Sequence, residues 1–211
     1  MKYEEIKLYN PGILCGEMPN ETFMELASSC EKQLASKSIN NALKRNMVTD
    51  HTVQGIGEAL QMSIPKSYDD FLCNFAQEFS SKFELPVENL KPKVIQQWLN
   101  LQKKYEYRPL HCHNDGSGKG LSFVTYIKIP YNLKDEDSFG NHTKKAVIFR
   151  NGRLEFMYLN YSGKPITHTV NIDSSFEGKT LMFSNSMHHI VYPFYTSDEY
   201  RISLAGNIIF Q

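Results

Sequence analysis

After Pro86 the chain breaks into short apolar segments, each closed by a turn signal, and this pattern constrains the fold more than any other feature. Residues 94–101, 121–129, 146–149, 153–159, 166–172, 179–183, 189–194 and 201–210 are rich in β-branched and aromatic residues. Several of these segments alternate apolar with polar positions, which sends successive side chains to opposite faces of a strand. Pro130, Asn151-Gly152, Tyr161-Ser162-Gly163 and Glu177-Gly178 separate them. Asn-Gly is the strongest hairpin signal of the set and predicts that 146–149 pairs with 153–159. About eight strands in this order predict an antiparallel sandwich or barrel.

The part before Pro86 reads differently. Phe23, Leu26, Cys30 and Leu34 fall three and four apart, on one face of a helix. Ser67 and Asp70 have the spacing of a capping box. Phe71, Leu72, Phe75, Phe79 and Phe83 then form an apolar stripe suited to packing on a sheet. Residues 6–18 contain Pro11, Gly12 and Gly16 and predict at most a short strand, and 36–55 read as a polar loop. Residues 134–141 read as an acidic loop, a candidate rim or lid. The whole predicts a single domain over 1–211, mainly β, with 1–90 a mainly helical support on the outer face of a β core at 91–211.

Composition removes several function classes. The formal net charge of zero argues against a nucleic-acid partner or an acidic membrane surface. No apolar run reaches bilayer length, and Met1-Lys2-Tyr3-Glu4-Glu5 lacks a signal-peptide core. Cys15, Cys30, Cys73 and Cys112 form no CxxC pair, which argues against a zinc ribbon and a disulfide scaffold. The expected compartment is the reducing cytoplasm.

The chemistry concentrates in two places. His111, His113 and Asp115 occupy alternate positions, so on an extended chain they face one cavity. His188 and His189 form the second group, and Arg201 and Ser203 follow His189 on a shared strand face. Two imidazoles and a carboxylate on one face of an octahedral Fe(II) leave three positions open, two for a 2-oxo acid and one for dioxygen. The distal carboxylate of such an acid needs a planar, permanently charged partner, and arginine supplies it. Either His113 with Asp115 or His111 with His113 can supply the near ligands, and His189 the far one. Tyr126 and Asn100 are candidate pocket residues. His51, His142 and His168 read as ordinary surface or core histidines.

His113-Asn114-Asp115, His189 and Arg201-Ile202-Ser203 resemble the pattern of the 2-oxoglutarate- and Fe(II)-dependent dioxygenases. The chain is most similar to small oxygenases of that superfamily, many of them phage-encoded. Trp98-Leu99-Asn100, Pro109-Leu110-His111-Cys112-His113, Leu121-Ser122-Phe123-Val124-Thr125-Tyr126, the stretch 183–193 and the stretch from Arg201 to Asn207 carry this likeness. It covers about 92–210 and implies a double-stranded β-helix, the cupin-like jelly roll. It also implies Fe(II), 2-oxoglutarate and dioxygen as cofactors, His113, Asp115 and His189 as ligands with His111 as the alternative, and Arg201 and Ser203 on the co-substrate. The His189 position matches the family's His-x-Val-x-Pro, which favours it over His188. The activity implied is hydroxylation of a small-molecule or protein substrate, with decarboxylation of 2-oxoglutarate to succinate, in a host cytoplasm if phage-encoded. A non-catalytic jelly-roll protein with a vestigial metal site, and a cupin-like metalloenzyme without 2-oxoglutarate, stand as the alternatives.

Overall fold

A computed structural model of the chain describes residues 12–36, 58–113, 120–139, 149–160 and 162–211. The described strands are β1 (Ile13–Glu17), β2 (Glu58–Gln61), β3 (Pro92–Gln102), β4 (Arg108–His111), β5 (Leu121–Lys128), β6 (Leu154–Leu159), β7 (Pro165–Val170), β8 (Lys179–Ser184), β9 (His188–Val191) and β10 (Arg201–Phe210). The helices are α1 (Asn20–Ser36), α2 (Lys66–Lys82) and α3 (Leu133–Ser138). One sheet runs β1-β8-β5-β10-β3-β2 and the other β4-β9-β6-β7, and their ladders are antiparallel. This is the double-stranded β-helix, with helices on the outer face of the larger sheet.

Alternation along β10 shows how the sequence builds both faces. Ile202, Leu204, Ile208 and Phe210 join the core under the helices, while Arg201, Ser203 and Ala205 line the space between the sheets. The register shifts between Asn207 and Ile208. Next to this irregularity, a side chain at Gly206 would place its Cβ 2.3 Å from the Gln96 carbonyl, so only glycine permits the approach.

Leu26 and Cys30 of α1, with Tyr68, Leu72, Ala76 and Phe79 of α2, pack on Leu99, Phe123, Met182 and Leu204 of the larger sheet. Each large apolar side chain buried there contributes about 1.5–3 kcal/mol relative to exposure. The polar atoms in this layer are satisfied: Tyr68 Oη lies 2.5 Å from Thr125 Oγ1, which lies 2.6 Å from Thr180 Oγ1. A second core joins the sheets through Tyr126, Leu181 and Phe183 on one side and Leu154 and Phe156 on the other. No helix among the described residues is long and apolar enough to cross a membrane.

Three local expectations are corrected. The stretch expected as an acidic loop holds helix α3, capped by Asn132, whose side chain accepts from the Asp135 N–H. Its Glu136 is fully buried and accepts from the backbone N–H groups of Tyr195 and Thr196 and from the Thr196 hydroxyl. Asp137 pairs with both terminal nitrogens of Arg153. These acids therefore serve packing. Secondly, α2 starts after Pro65 without a side-chain cap, and Ser67 donates instead to Glu25 while Asp70 pairs with Lys66. Thirdly, the hairpin partner of β6 is β7, through a turn in which Asn160 Oδ1 accepts from Ser162 and Lys164. The strand expected at 146–149 lies, but for Phe149, outside the described residues. The short strand expected within 6–18 is β1, and it and β2 extend the larger sheet at its two edges.

Candidate metal centre and co-substrate cavity

In the smaller sheet β4 and β9 pair with His111 opposite His189, and β6 places Phe156 on the other side of His189. His113 lies two residues past the end of β4, where its N–H donates to the Asn185 carbonyl over 2.8 Å. The ligand atoms of His111, His113 and His189 all lie within 4.8 Å of one another. Ring centroids are 4.2 Å apart for His111 and His189, 5.1 Å for His111 and His113, and 5.3 Å for His113 and His189.

Two of these rings are oriented by the backbone. His111 Nδ1 stands 2.6 Å from the Pro109 carbonyl, and His189 Nδ1 stands 3.0 Å from the Met187 carbonyl. A nitrogen facing a carbonyl carries the proton, which leaves Nε2 with a lone pair for a metal. His189 is only 5% exposed and is flanked by Phe156 and Phe183. Burial, reinforced by the neighbouring His111 and His113, holds its pKa well below the ordinary imidazole range. His189 is therefore a neutral ligand at physiological pH. Converging imidazoles of this kind fit a divalent first-row transition ion.

Asp115, the other near ligand expected from the sequence, lies outside the described residues, as do His51 and His142. The alternation that would align 111, 113 and 115 holds for a continuous strand, and β4 ends at His111. For the same reason Cys112, which would face away from the His111 side on a continuous strand, also borders the cavity. His188 is exposed on β9, and His168 is exposed on β7.

The three histidines open on a cavity of about 330 Å³ between the sheets. Trp98 lies against His113, with ring centroids 5.4 Å apart. One pleat further along come Asn100, Ser203 and Tyr126, set side by side by the β3-β10-β5 register. Asn100 Nδ2 lies 3.5 Å from Ser203 Oγ, and its Oδ1 accepts from Arg108 Nη2 at 3.3 Å. Tyr126 is buried, and desolvation raises its pKa against the opposing pull of the Arg201 charge. Its hydroxyl is thus a protonated donor.

Arg201 sits one further step along, opposite Gln102, and is 2% exposed. The sequence expectation aimed its fork at a ligand carboxylate. In the structure Nη1 donates to Tyr131 Oη at 2.8 Å and to the Gly152 carbonyl at 3.2 Å. Nη2 donates to Gln102 Oε1 at 2.7 Å and to the Tyr192 carbonyl at 3.1 Å. The rings of Tyr131 and Phe194 flank the same guanidinium. Arg108, Gln102 and Tyr131 were not singled out from sequence. Arg108 carried one usable signal, a cation three residues ahead of His111.

Among curated protein sequences none matches the chain. Solved structures share the fold. A Pseudomonas putida prolyl-4-hydroxylase superposes with a TM-score of 0.54 at 15% identity, covering 95% of this chain and 92% of that one. The α-ketoglutarate-dependent carbocyclase SnoK of nogalamycin biosynthesis gives 0.59 at 8% identity, covering 94% and 79%. The viral collagen prolyl hydroxylase of Paramecium Bursaria Chlorella virus-1 gives 0.50 at 11% identity, covering 93% and 94%. A family model described as "Putative 2OG-Fe(II) oxygenase" matches residues 96–207, more than half of the chain and most of the strands around the cavity. The chain therefore belongs to this 2OG-Fe(II) oxygenase family, whose cofactors are Fe(II), 2-oxoglutarate and dioxygen.

Proposed function

We propose that this oxygenase hydroxylates its substrate, and that His111, His113 and His189 hold its Fe(II). The observation that carries the ligand reading is the meeting of these three side chains at one point of the cavity wall. When bound, the iron and 2-oxoglutarate supply the oxidising chemistry, in which a substrate C–H, 2-oxoglutarate and dioxygen become C–OH, succinate and carbon dioxide.

The protein's own share follows from its residues. The Pro109 and Met187 carbonyls fix two imidazoles in the tautomer that presents Nε2. Phe156 and Phe183 keep bulk water from His189. The polar layer of Asn100, Ser203 and Tyr126 offers hydrogen bonds to a carboxylate beside the ligand cluster. Arg201 sets a positive potential behind that layer.

The test is succinate formation by purified protein with Fe(II), 2-oxoglutarate and air, across a panel of peptide and small-molecule substrates. Hydroxylated product in step with succinate, both lost in His189→Ala, is the expected result. Substrate conversion that proceeds without succinate would overturn the reading.

A further inference from the structure

The larger sheet turns a second polar row into the cavity, one that the co-substrate does not use. Gln96, Trp98 and Asn100 of β3 face the cavity, and the β3-β10-β5 register sets Ala205 and Val124 beside Trp98, and Asn207 and Ser122 beside Gln96. Trp98 abuts His113, so the apolar row stands level with the histidines and divides two polar ones. Asn100 and Gln96 are four strand residues apart, about 13 Å. A co-substrate directed from the histidines to the Asn100 row therefore leaves the Gln96 row open to a second ligand.

A bulge puts the glutamine there. Val94 pairs with Ile208 and Gln96 with Asn207, and Ile95 between them has no partner on β10. Val94 packs into the core under the helices. Without the extra residue, strict alternation would send Gln96 to that core as well and turn Ile95 toward the cavity. Bulges re-aim side chains in this way next to active sites.

The row is rich in donors. Ser122 Oγ donates to Asn207 Oδ1 at 2.9 Å, and Asn207 Nδ2 donates to Gln96 Oε1 at 3.4 Å. Both amide oxygens thus have a donor, while Gln96 Nε2 and the Trp98 indole N–H have no acceptor among the described residues. A ligand that completes the row is an acceptor. A full negative charge would stand here without a counter-cation, since Arg108 and Arg201 belong to the other end, beside Asn100 and Gln102. An uncharged carbonyl fits, with apolar contact from Trp98, Phe123 and Phe183.

We propose that Gln96, Asn207 and Trp98 recognise the primary substrate, and that the group they bind is an uncharged amide carbonyl next to the carbon to be oxidised. The assignment rests on the oxygenase reading above.

Trp98 is the chain's single tryptophan, so its emission reports on this row. The test follows that emission in Fe(II)-loaded protein with 2-oxoglutarate and no oxygen. The probes are a pool of N-acetylated, C-amidated tetrapeptides of uncharged residues, the same pool with a central lysine or a central glutamate, and a pool of small N-alkyl acetamides. The uncharged probes should shift the emission, and the charged pools should bind roughly 10-fold more weakly or worse. Whichever uncharged pool binds more tightly tells a peptide substrate from a small-molecule one. Gln96→Leu and Asn207→Leu should each weaken the uncharged probes roughly 3- to 10-fold, with 2-oxoglutarate affinity close to wild type. Gln96→Glu keeps the shape but adds a negative acceptor, so it should move the preference to the lysine pool, a change that a merely structural glutamine would not give. That variant carries the test if the Leu variants do not fold. No binding of either uncharged pool, tighter binding of a charged pool by wild type, or unchanged affinities in the folded variants would overturn the assignment and leave the oxygenase reading standing. Failure of wild type to bind 2-oxoglutarate would overturn both.

Discussion

Replacing Arg201 with Ala should act first on stability. The side chain is 2% exposed and its terminal nitrogens hold four acceptors drawn from β3, the stretch before α3, the Asn151-Gly152 turn and the segment after β9. Gly152 keeps a second bond, from the Tyr131 hydroxyl at 2.6 Å. The Tyr192 carbonyl and Gln102 Oε1 lose their Arg201 partner outright. Each buried acceptor left unpaired costs about 1–3 kcal/mol. Lost contact with the Tyr131 and Phe194 rings adds about 0.5–2 kcal/mol. Water entering the vacated space offsets part of this, and a net loss of about 3–5 kcal/mol follows. For a chain of 211 residues each kcal/mol lowers Tm by roughly 2–4 °C, so the expected fall is roughly 6–20 °C. Differential scanning calorimetry on metal-free wild type and Arg201→Ala reads it directly. A variant with unchanged Tm and strongly reduced 2-oxoglutarate affinity would refute the reasoning, because the fork would then belong to the ligand.

Other side chains carry consequences of the same kind. His189→Ala should abolish stoichiometric Fe(II) binding in a folded protein, while His188→Ala, on the exposed face of β9, should leave it intact; metal titration decides. In metal-free protein the depressed pKa of His189 means that the unfolded chain takes up a proton the folded chain refuses. Stability should therefore fall as pH drops below the unfolded value of 6.5, by up to about 1.4 kcal/mol per pH unit from this group, and urea midpoints across that range check it. Glu136→Gln should cost about 2–4 kcal/mol, since a carboxylate accepting from Tyr195 and Thr196 gives way to an amide whose NH₂ faces donors; denaturant unfolding with metal affinity retained is the expected outcome. Cys30, buried with its thiol pushed up to about 12 by desolvation, should resist thiol reagents in native buffer that modify exposed Cys15.

The strands were legible where one face meets a core and the other meets polar atoms. Arg201–Phe210 is read from its alternation and appears with those bounds. The apolar stripe of α2 was legible for the same reason, with a period of a helix rather than a strand. Helix α3 was not, because what buries Glu136 is a pair of backbone N–H groups some sixty residues downstream. The edge strand β2 also escaped, since an edge strand is specified by its partner's open hydrogen bonds more than by its own side chains. At the site, the sequence offered His111, His113, Asp115, His189, Arg201, Ser203, Tyr126 and Asn100; Asp115 lies outside the described residues, and the structure brings the other seven to one cavity from the two facing sheets. It could not show that the register of β4 against β9 shifts between Arg108 and His111, which governs how the near ligands are presented. Nor could it show that the Arg201 fork is filled from Tyr131, Gly152, Gln102 and Tyr192. Both depend on pairings distant in sequence.

The central claim is that His111, His113 and His189 hold the iron on which 2-oxoglutarate depends. Calorimetric titration of 2-oxoglutarate without oxygen, into protein with and without Fe(II), tests it most directly when wild type, His111→Ala and Asp115→Ala are compared. The account predicts one 2-oxoglutarate per iron in wild type, no binding without metal, and a greater loss in His111→Ala than in Asp115→Ala. Tight, iron-dependent binding that survives His111→Ala and disappears in Asp115→Ala would contradict it.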